Sequence, residues 1–375
     1  MARDDRDVEK RLDKALLACL SKDGTVVSCV PLGLSDYCDT LKIDVRVLDD
    51  TIQTFFAKIS RGQAGYDLLL GTNASESSLY SFIPEHVPRP IGFSTYESGP
   101  DRHFFLMEWV DMRDDDLPEP EAYMAPVVAL HSRSMGMSPT GKFGFGVNTA
   151  FGNLPQVNKW EDSWEKWWTD YMTMILDREE SLRGPHTPED KELKDQFLNK
   201  VLPRYLRPLE SNGRSIKPCL LHADLWPGNI KYQLENETAI VYDSSGLWGH
   251  NEVDLGVIRN PRYPLGRPYL KEYWKHIPIS EPQEDADSRN IMYLVRNQAL
   301  LASLYPEDHS LRNSFVKTMR VVVDRVLEEE ARGGAANGVS VSDGPRDSAF
   351  AELEKNGVSQ PRVAQLETGG MNSTD

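Results

Sequence analysis

The residues best suited to chemistry lie in one short stretch, LLHADLWPGNI, at positions 220–230. It holds His222, Asp224 and Asn229, and Asp243 follows at the end of the next apolar run, AIVYDS. A carboxylate can orient a hydroxyl group and accept its proton, while amide and carboxylate oxygens are the hard ligands that Mg²⁺ prefers. This order of residue types favours phosphoryl transfer to a hydroxyl. His222 would brace the loop, Asp224 would be the base, and Asn229 and Asp243 would hold magnesium.

The spacing His-x-Asp-x-x-x-x-Asn is that of the protein-kinase catalytic loop, where the metal-binding aspartate follows on the next strand turn. Such a site also needs a lysine for the ATP phosphates, and FFAKIS supplies Lys58 inside an apolar run where lysine is otherwise disfavoured. The segment VPLGLSDYCDTLKI offers Gly33 and Ser35 for a turn over the phosphates. The segment FFLMEWVDM offers Glu108 and Val110 as a linker whose backbone could meet an adenine edge. Each feature is weak alone, but their order along the chain predicts an ATP site.

The elements around these residues predict an α+β chain. Four β-branched or aromatic runs, VVSCVPLG, LKIDVRVL, IQTFFAKIS and HFFLMEWV, predict strands, and one helix is expected from Gly71 to Phe82. Helical patterns dominate after Leu117, and the aromatic residues of WEDSWEKWWTDYMTMIL are expected to be core. We therefore expect a bilobal protein-kinase-like fold, with a small antiparallel sheet and one helix in the N-lobe and a larger, mainly helical C-lobe.

The expected divisions are a leading amphipathic helix at 1–20, an ATP-binding N-lobe at 21–108 and a catalytic, substrate-binding C-lobe at 109–332. Residues 333–375 are rich in Gly, Ser, Asn and acid, with one aromatic residue, Phe350. This composition predicts a disordered tail.

Composition narrows the class of partner and the compartment. The 375 residues carry a formal net charge of −16, which argues against nucleic acid and anionic membranes. The charge either suits basic substrates such as lysine side chains or serves solubility alone. Four cysteines without CxxC spacing, a charged N-terminus and no long apolar run predict a cytoplasmic protein.

Several stretches also resemble one family. HADLWPGN is similar to the HGDLWxGN loop of the fructosamine/ketosamine-3-kinases, GKFGFGVNTAFGNLPQVNKW to their FGF…LPQ-N-W stretch, and WGHNEVDLG to the segment after the metal aspartate. The resemblance covers about residues 20–325. It implies a bilobal kinase-like fold and ATP- and Mg²⁺-dependent phosphorylation of the 3-hydroxyl of a ketosamine, such as ribulosyl- or fructosyl-lysine on glycated protein. The phosphorylated adduct then decomposes and frees the amine.

The resemblance also assigns roles by position. It places Trp226 and His250 at the substrate, with His250 and Asp254 bracing the catalytic loop. Trp226 has a plain alternative, which is packing within its own loop. Cys29 and Cys38 flank the expected phosphate loop and are either structural thiols or redox-sensitive ones.

Three departures from the family pattern bear on activity. Ala223 replaces the loop glycine and would resist a positive φ. Ser244 follows the metal aspartate in place of a frequent proline. Thr72 stands where the helix glutamate that pairs with the lysine is expected, and Glu76, one turn later, is its expected replacement at the ATP site.

Three functions remain open at this point. The first is a ketosamine 3-kinase. The second is a kinase of the same fold acting on another small hydroxylated metabolite. The third is a pseudokinase that binds nucleotide without turnover, which Thr72 and Ala223 would favour and the retained Asp224, Asn229 and Asp243 oppose.

Overall fold

The structure, a computed structural model, describes residues 12–21, 23–34, 37–113 and 116–335. Most of the leading helix expected at 1–20 therefore lies outside the described residues. Its described part contains only the short helix α1, Lys14–Leu17. The Asp13 carboxylate caps α1 by accepting from Ala15 N at 2.9 Å, and it also accepts from the backbone of Glu97 and Ser98, each at 2.9 Å. These bonds fix the start of the described chain to a turn between two strands of the sheet.

A five-stranded antiparallel sheet lies between Thr25 and Glu108, in the order β1-β2-β3-β5-β4. Its strands are β1 Thr25–Leu34, β2 Asp39–Arg46, β3 Ile52–Arg61, β4 Pro90–Thr95 and β5 Arg102–Glu108. All four runs expected to form strands do so. The sheet places Lys58 on β3 between Thr40 of β2 and Phe105 of β5. Lysine at this central strand position is enclosed by neighbours on both sides.

Helix α2, Gly62–Phe82, connects β3 to β4 and begins nine residues before the expected start at Gly71. The expectation was wrong because the glycines near its start resemble a loop. Gly62 turns the chain out of β3 with φ +69°. A Cβ on Gly65 would lie 2.6 Å from Ser60 Oγ, so this glycine lets the first helical turn pack against the strand end.

The described chain after β5 is mainly helical, as expected. Its helices are α3 Pro120–Ser134, α4 Trp164–Arg183, α5 Pro188–Gln196, α6 Leu202–Leu206, α7 Arg267–Trp274, α8 Ala286–Leu304 and α9 His309–Ala335, with a π-helical turn at Phe197–Val201 and 3₁₀ turns at Arg207–Glu210, Pro227–Asn229, Asn251–Val253, Gly256–Arg259 and Gln283–Asp285. The aromatic face of α4 is core, because Trp164, Trp167, Trp168 and Tyr171 are all buried. Helix α8 is buried along nearly its whole length.

Three short two-stranded antiparallel sheets, two of them hairpins, lie among the described loops between these helices. Strands β6 Thr149–Phe151 and β7 Leu154–Gln156 pair with each other, β8 Cys219–Leu221 pairs with β11 Leu247–Gly249, and β9 Ile230–Tyr232 pairs with β10 Ala239–Val241. The stretch LLHADLWPGNI thus leaves β8 and enters β9.

Helix α9 ends the described chain at Ala335, three residues into the segment expected as a tail. The rest of that segment lies outside the described residues. Within the described ranges, no helix is both long and apolar enough to cross a bilayer.

Candidate active site

The loop 222–229 is fixed through its backbone by one buried carboxylate. Asp254 Oδ2 accepts from His222 N at 2.9 Å, and Oδ1 accepts from Ala223 N at 2.8 Å. Ala223 adopts φ +61°, the left-handed conformation that favours glycine and costs a residue with a Cβ about 1–2 kcal/mol. Replacing the family glycine by alanine therefore changes the energy of the loop but leaves its conformation accessible.

His222 is a neutral brace for this loop. Its imidazole is buried, and burial lowers the pKa of His222 below its ordinary value. Nδ1 accepts from Asp224 N at 3.2 Å, so Nε2 carries the proton and donates to Tyr242 O at 3.0 Å. His222 thus ties the loop to the end of β10, and its ring nitrogens are already occupied.

Three of the expected site residues converge at the end of this loop. Asn229 Nδ2 donates to Asp224 O at 2.9 Å and to Asp224 Oδ2 at 3.2 Å. The same nitrogen lies 3.4 Å from Asp243 O. The loop therefore brings the expected base and the two expected metal ligands into one cluster.

This cluster fits a divalent cation held together with phosphate oxygens. The described side-chain hydrogen bonds of Asn229 all use Nδ2, which leaves its amide oxygen available as a hard ligand. Asp243 adds a carboxylate, and one or two protein oxygens with substrate phosphates are a common way of binding Mg²⁺. Among the described residues, no group of three or more His, Cys, Asp or Glu side chains could hold a metal ion by itself.

Lys58 reaches this cluster from the sheet. Its Nζ forms an ion pair with Asp243 Oδ1, across 185 positions of sequence. Burial alone would lower the pKa of Lys58, but the Asp243 carboxylate raises it overall, so the ammonium stays charged. Asp243 itself adopts φ +57°, a strained position for a non-glycine residue.

Glu76 sits behind this pair and does not form an ion pair with Lys58 among the described contacts. Its Oε1 accepts from Ser244 N at 2.7 Å and from Ser244 Oγ at 2.9 Å. Burial raises the pKa of Glu76 to about 7. Thr72, at the family's glutamate position, donates its hydroxyl to Leu68 O at 3.0 Å within its own helix.

Two departures from the family pattern are therefore linked. A proline at 244 has no N–H, so the hydrogen bond to Glu76 requires the non-proline residue found here. Glu76, one helical turn after Thr72, is hydrogen-bonded to the residue that follows Asp243.

The remaining residues expected to bind ATP lie in β1 and in the linker that includes Glu108 and Val110, here called the hinge. Val110 is buried, and its backbone N–H and C=O take part in no hydrogen bond within the described ranges. Both groups are suited to an adenine edge. The Glu108 carboxylate instead accepts from Arg89 N at 2.8 Å, and the Glu108 N–H donates to Arg89 O at 2.9 Å, so only its backbone carbonyl remains for that role. Gly33 lies in β1 opposite Thr40, and Ser35 lies outside the described residues.

A cavity of about 540 Å³ lies at the same hinge. It is lined by Glu108, Trp109, Val110, Asp111, Gln233, Leu234 and Glu235. None of the catalytic-loop residues or Lys58 contributes to its lining. The cavity is therefore separate from the cluster formed by Asp224, Asn229, Asp243 and Lys58.

The two expected substrate residues differ in position. Trp226 is half-buried, and its ring centroid lies 5.9 Å from that of Tyr263. The indole also packs against Gly228 so closely that a Cβ at that position would collide with it. Packing and substrate contact are both compatible with this position. His250 is buried, with Nδ1 at 2.8 Å from Tyr293 OH and Nε2 at 2.8 Å from Ser280 Oγ. No described hydrogen bond joins His250 to the loop 222–229, which is braced by Asp254 instead.

Arg296, a buried polar residue beneath the loop 222–229, was not among the site residues predicted from the sequence. Arg296 Nη1 donates to Ala223 O at 2.6 Å, and Nη2 donates to Gln156 Oε1 at 3.2 Å. The sequence did offer a clue, because Arg296 is a lone arginine inside the apolar run IMYLVRNQALL. A charge on a buried helix face needs polar partners, and here one of them is the backbone of the loop 222–229.

Comparisons with known proteins agree on a family. The family profile described as fructosamine kinase matches residues 41–313. The chloroplastic protein-ribulosamine 3-kinase of Arabidopsis thaliana is 27% identical over 253 residues, covering 64% of this chain and 68% of the relative. The ketosamine-3-kinase of Mus musculus is 33% identical over 119 residues, covering 31% of this chain and 35% of the relative. The chain thus spans about two thirds of the length of the plant relative and less of the mouse one.

Solved structures show the same fold. A structure assigned to the fructosamine-3-kinases, from Thermobifida fusca, has a TM-score of 0.62 at 23% identity and covers 83% of this chain and 98% of its own. The aminoglycoside phosphotransferase APH(4)-Ia, solved with AMP-PNP and hygromycin B, has a TM-score of 0.54 at 14% identity, with coverages of 84% and 98%. The expected bilobal kinase-like α+β fold is confirmed.

Proposed function

This chain belongs to the fructosamine kinase family, and from that premise we propose that it transfers the γ-phosphoryl group of ATP to the 3-hydroxyl of a ketosamine. The names of its relatives support this acceptor class, since they include a protein-ribulosamine 3-kinase and a ketosamine-3-kinase. The observation that carries the proposal is the convergence of Asp224, Asn229, Asp243 and Lys58 on one cluster between sheet and helices.

The cluster supplies the groups that the reaction needs. Asp224 accepts the proton of the 3-hydroxyl while that oxygen forms a bond to the γ-phosphorus. The bond from the γ-phosphorus to the β–γ bridging oxygen breaks, and ADP leaves. A base placed by hydrogen bonds contributes about 10²- to 10⁴-fold to such a rate.

The phosphates are held by charge. Lys58 would exchange its present contact with Asp243 for the phosphate oxygens, keeping its charge compensated. Asn229 Oδ1 and Asp243 would then hold a divalent cation, which in our proposal is Mg²⁺. When bound, that ion neutralises charge on the phosphates. The N–H and C=O of Val110 would meet the adenine edge.

The substrate would approach the exposed side of the loop. Trp226 is half-buried and lies two residues after Asp224 on the same loop, and a flat apolar ring of this kind can stack on a sugar face or on a lysine stem. We therefore propose ribulosyl- or fructosyl-lysine, free or on glycated protein, as the acceptor. An acidic protein is compatible with a basic peptide around the modified lysine. We keep the cytoplasm as the proposed compartment, where the four cysteine thiols would stay reduced.

The experiment is a transfer assay with an acceptor panel. Purified protein is incubated with ATP, Mg²⁺ and either ribulosyl-lysine, fructosyl-lysine or a set of unrelated sugar alcohols, and phosphorylated products are identified by ³¹P NMR. The proposal expects a sugar 3-phosphate from at least one ketosamine. Transfer to an unrelated alcohol alone would favour a different acceptor. Thermal stabilisation by ATP with Mg²⁺ but without any transfer would favour a pseudokinase.

A further inference from the structure

The buried guanidinium of Arg296 contacts the catalytic loop from below. Arg296 lies on α8, is about 5% exposed and directs Nη1 to Ala223 O at 2.6 Å. Its other described hydrogen bonds go to the Gln156 amide oxygen and the Tyr171 hydroxyl, each at 3.2 Å. The described hydrogen bonds of Arg296 go to a carbonyl, an amide and a hydroxyl, which are all neutral groups. Burying an arginine among neutral partners carries a large desolvation cost, so a purely structural role would be an expensive one.

The contacted carbonyl belongs to the peptide unit that carries the Asp224 N–H. Ala223 stands in the left-handed conformation, and Asp254 holds the N–H on the other side of that residue at 2.8 Å. An anion and a cation therefore hold Ala223 from opposite ends. Together they fix the peptide plane from which the Asp224 side chain projects.

The same guanidinium is connected to the loop that follows Asp243. Gln156 ends β7, accepts from Arg296 through Oε1, and places Nε2 at 3.3 Å from Ser245 O. Ser245 N in turn donates to His222 O at 2.8 Å, so a backbone bond also joins the two loops directly. The base side and the metal side of the proposed site thus share one buried scaffold.

The hairpin β6–β7 completes this scaffold by packing against α2. A Cβ on Gly71 would lie 2.6 Å from Asn148 O, so helix and hairpin are in close contact. Thr149 donates to Ser245 O at 3.3 Å, and the Asn158 amide nitrogen donates to Thr149 Oγ1 at 2.9 Å. The stretch NTAFGNLPQVN therefore has a structural use, which is to bind the loop after Asp243 to Arg296.

We propose that Arg296 is a positioning residue that holds the Ala223–Asp224 peptide in its reactive orientation, and that Gln156 connects it to the loop carrying Asp243. This proposal rests on the proposed function, in which Asp224 is the base. Displacing a reacting group by about 1 Å can cost about 100-fold in rate, so loss of the guanidinium should act mainly on kcat.

The test compares three variants under the same assay. Arg296→Met keeps most of the side-chain volume but removes the charge and the donors, whereas Arg296→Lys keeps the charge and one donor. Arg289→Lys is the matched control, because Arg289 is also buried on α8, seven residues earlier, and pairs with Glu252 at 2.8 Å instead of with the loop. All three should lower the thermal midpoint.

The expected result is a split between kcat and KM. Arg296→Met should lose about 100-fold in kcat with an unchanged KM for ATP, and Arg296→Lys should lose clearly less. Arg289→Lys should keep its kcat at temperatures where it is folded. A double-mutant cycle adds Gln156→Met alone and combined with Arg296→Met, and the loss in the double variant should be smaller than the product of the two single losses. A full kcat in Arg296→Met, or equal losses in Met and Lys, would overturn the proposal.

Hydrogen exchange gives a readout that needs no substrate. Amides of the peptide covering 219–232 should exchange faster in both Arg296 variants than in Arg289→Lys. Unchanged exchange in that peptide would overturn the positioning role. If the wild-type protein phosphorylates no ketosamine, the proposed function fails, and this comparison still decides the role of Arg296.

Discussion

Replacing Asp254 by asparagine tests how the catalytic loop is held. The side chain is fully enclosed, and its two oxygens accept from His222 N and Ala223 N. Oδ2 also lies 3.2 Å from His131 Nε2. Burial would raise the pKa of Asp254, but the hydrogen bond from His131 and the contacts with His222 lower it overall, so the carboxylate is ionised. Asparagine matches the shape but offers one oxygen in place of two.

The cost follows from these bonds. A hydrogen bond to a charged group contributes about 1.5–3 kcal/mol, and an unsatisfied buried donor costs a similar amount. In Asp254→Asn, at least one loop N–H faces an amide NH₂, and the other bonds become neutral. We expect the free energy of unfolding to fall by about 3–5 kcal/mol. Because the loop shifts, kcat should fall by about 100-fold even in the folded fraction.

The assay combines urea unfolding, followed by tryptophan fluorescence, with kcat measured where the variant is folded. Asp285→Asn is the control, because Asp285 is also buried and accepts from Arg204 at 2.7 and 3.0 Å, without contact to the loop. That variant should lose stability and keep its kcat. A loss below about 1 kcal/mol together with full kcat in Asp254→Asn would refute the reasoning, since it would mean that a neutral partner serves equally well.

Three further predictions concern the helix behind the site. Ser244→Pro removes both hydrogen-bond donors to Glu76, so it should lower the free energy of unfolding by about 3 kcal/mol and reduce kcat. Ser244→Ala keeps the backbone N–H and should have a smaller effect on both quantities. A proline variant with unchanged stability and kcat would contradict the role of the Glu76–Ser244 hydrogen bonds. Glu76 has a pKa of about 7 against the ordinary 4.5, so the folded protein binds more protons than the unfolded chain and its stability falls as pH rises through that window. Glu76→Gln should therefore gain up to about 3 kcal/mol relative to wild type between pH 5 and pH 8, and thermal midpoints that differ equally at both pH values would argue against this. Gly71→Ala should lower the free energy of unfolding by about 1–3 kcal/mol in urea, because the added Cβ would lie 2.6 Å from Asn148 O. This cost should exceed the gain from the better helix propensity of alanine. An unchanged urea midpoint would show that helix α2 can shift without cost.

The parts of this fold that the sequence predicts are those set by local pattern. The strands around Lys58 follow from β-branched runs, and the aromatic face of α4 follows from helical spacing. The loop with Asp224 and Asn229 is short, so its spacing alone brings these side chains together. Where glycine serves packing instead of a turn, as at Gly65, the same local rules fail, and α2 was expected to begin too late.

The parts that the sequence does not predict depend on contacts between distant positions. Glu76 and Ser244 are 168 positions apart, so the sequence showed two separate departures from the family pattern but not the hydrogen bond that connects them. Arg296 is 73 positions from Ala223 and 140 from Gln156, and no periodicity links them. Ala223 was predicted only in part: the sequence indicated that a positive φ would be unfavourable there, and the structure shows φ +61°.

The central claim is that Asp224 is the base of a ketosamine-directed phosphotransferase. The most direct measurement is the rate of γ-phosphoryl transfer from ATP to ribulosyl-lysine by wild type, Asp224→Asn and Asp170→Asn, the last removing a carboxylate that is exposed on α4. We predict transfer by wild type and by Asp170→Asn, and a loss of about 10²- to 10⁴-fold in Asp224→Asn with binding of ATP retained. Transfer at the wild-type rate in Asp224→Asn would contradict it.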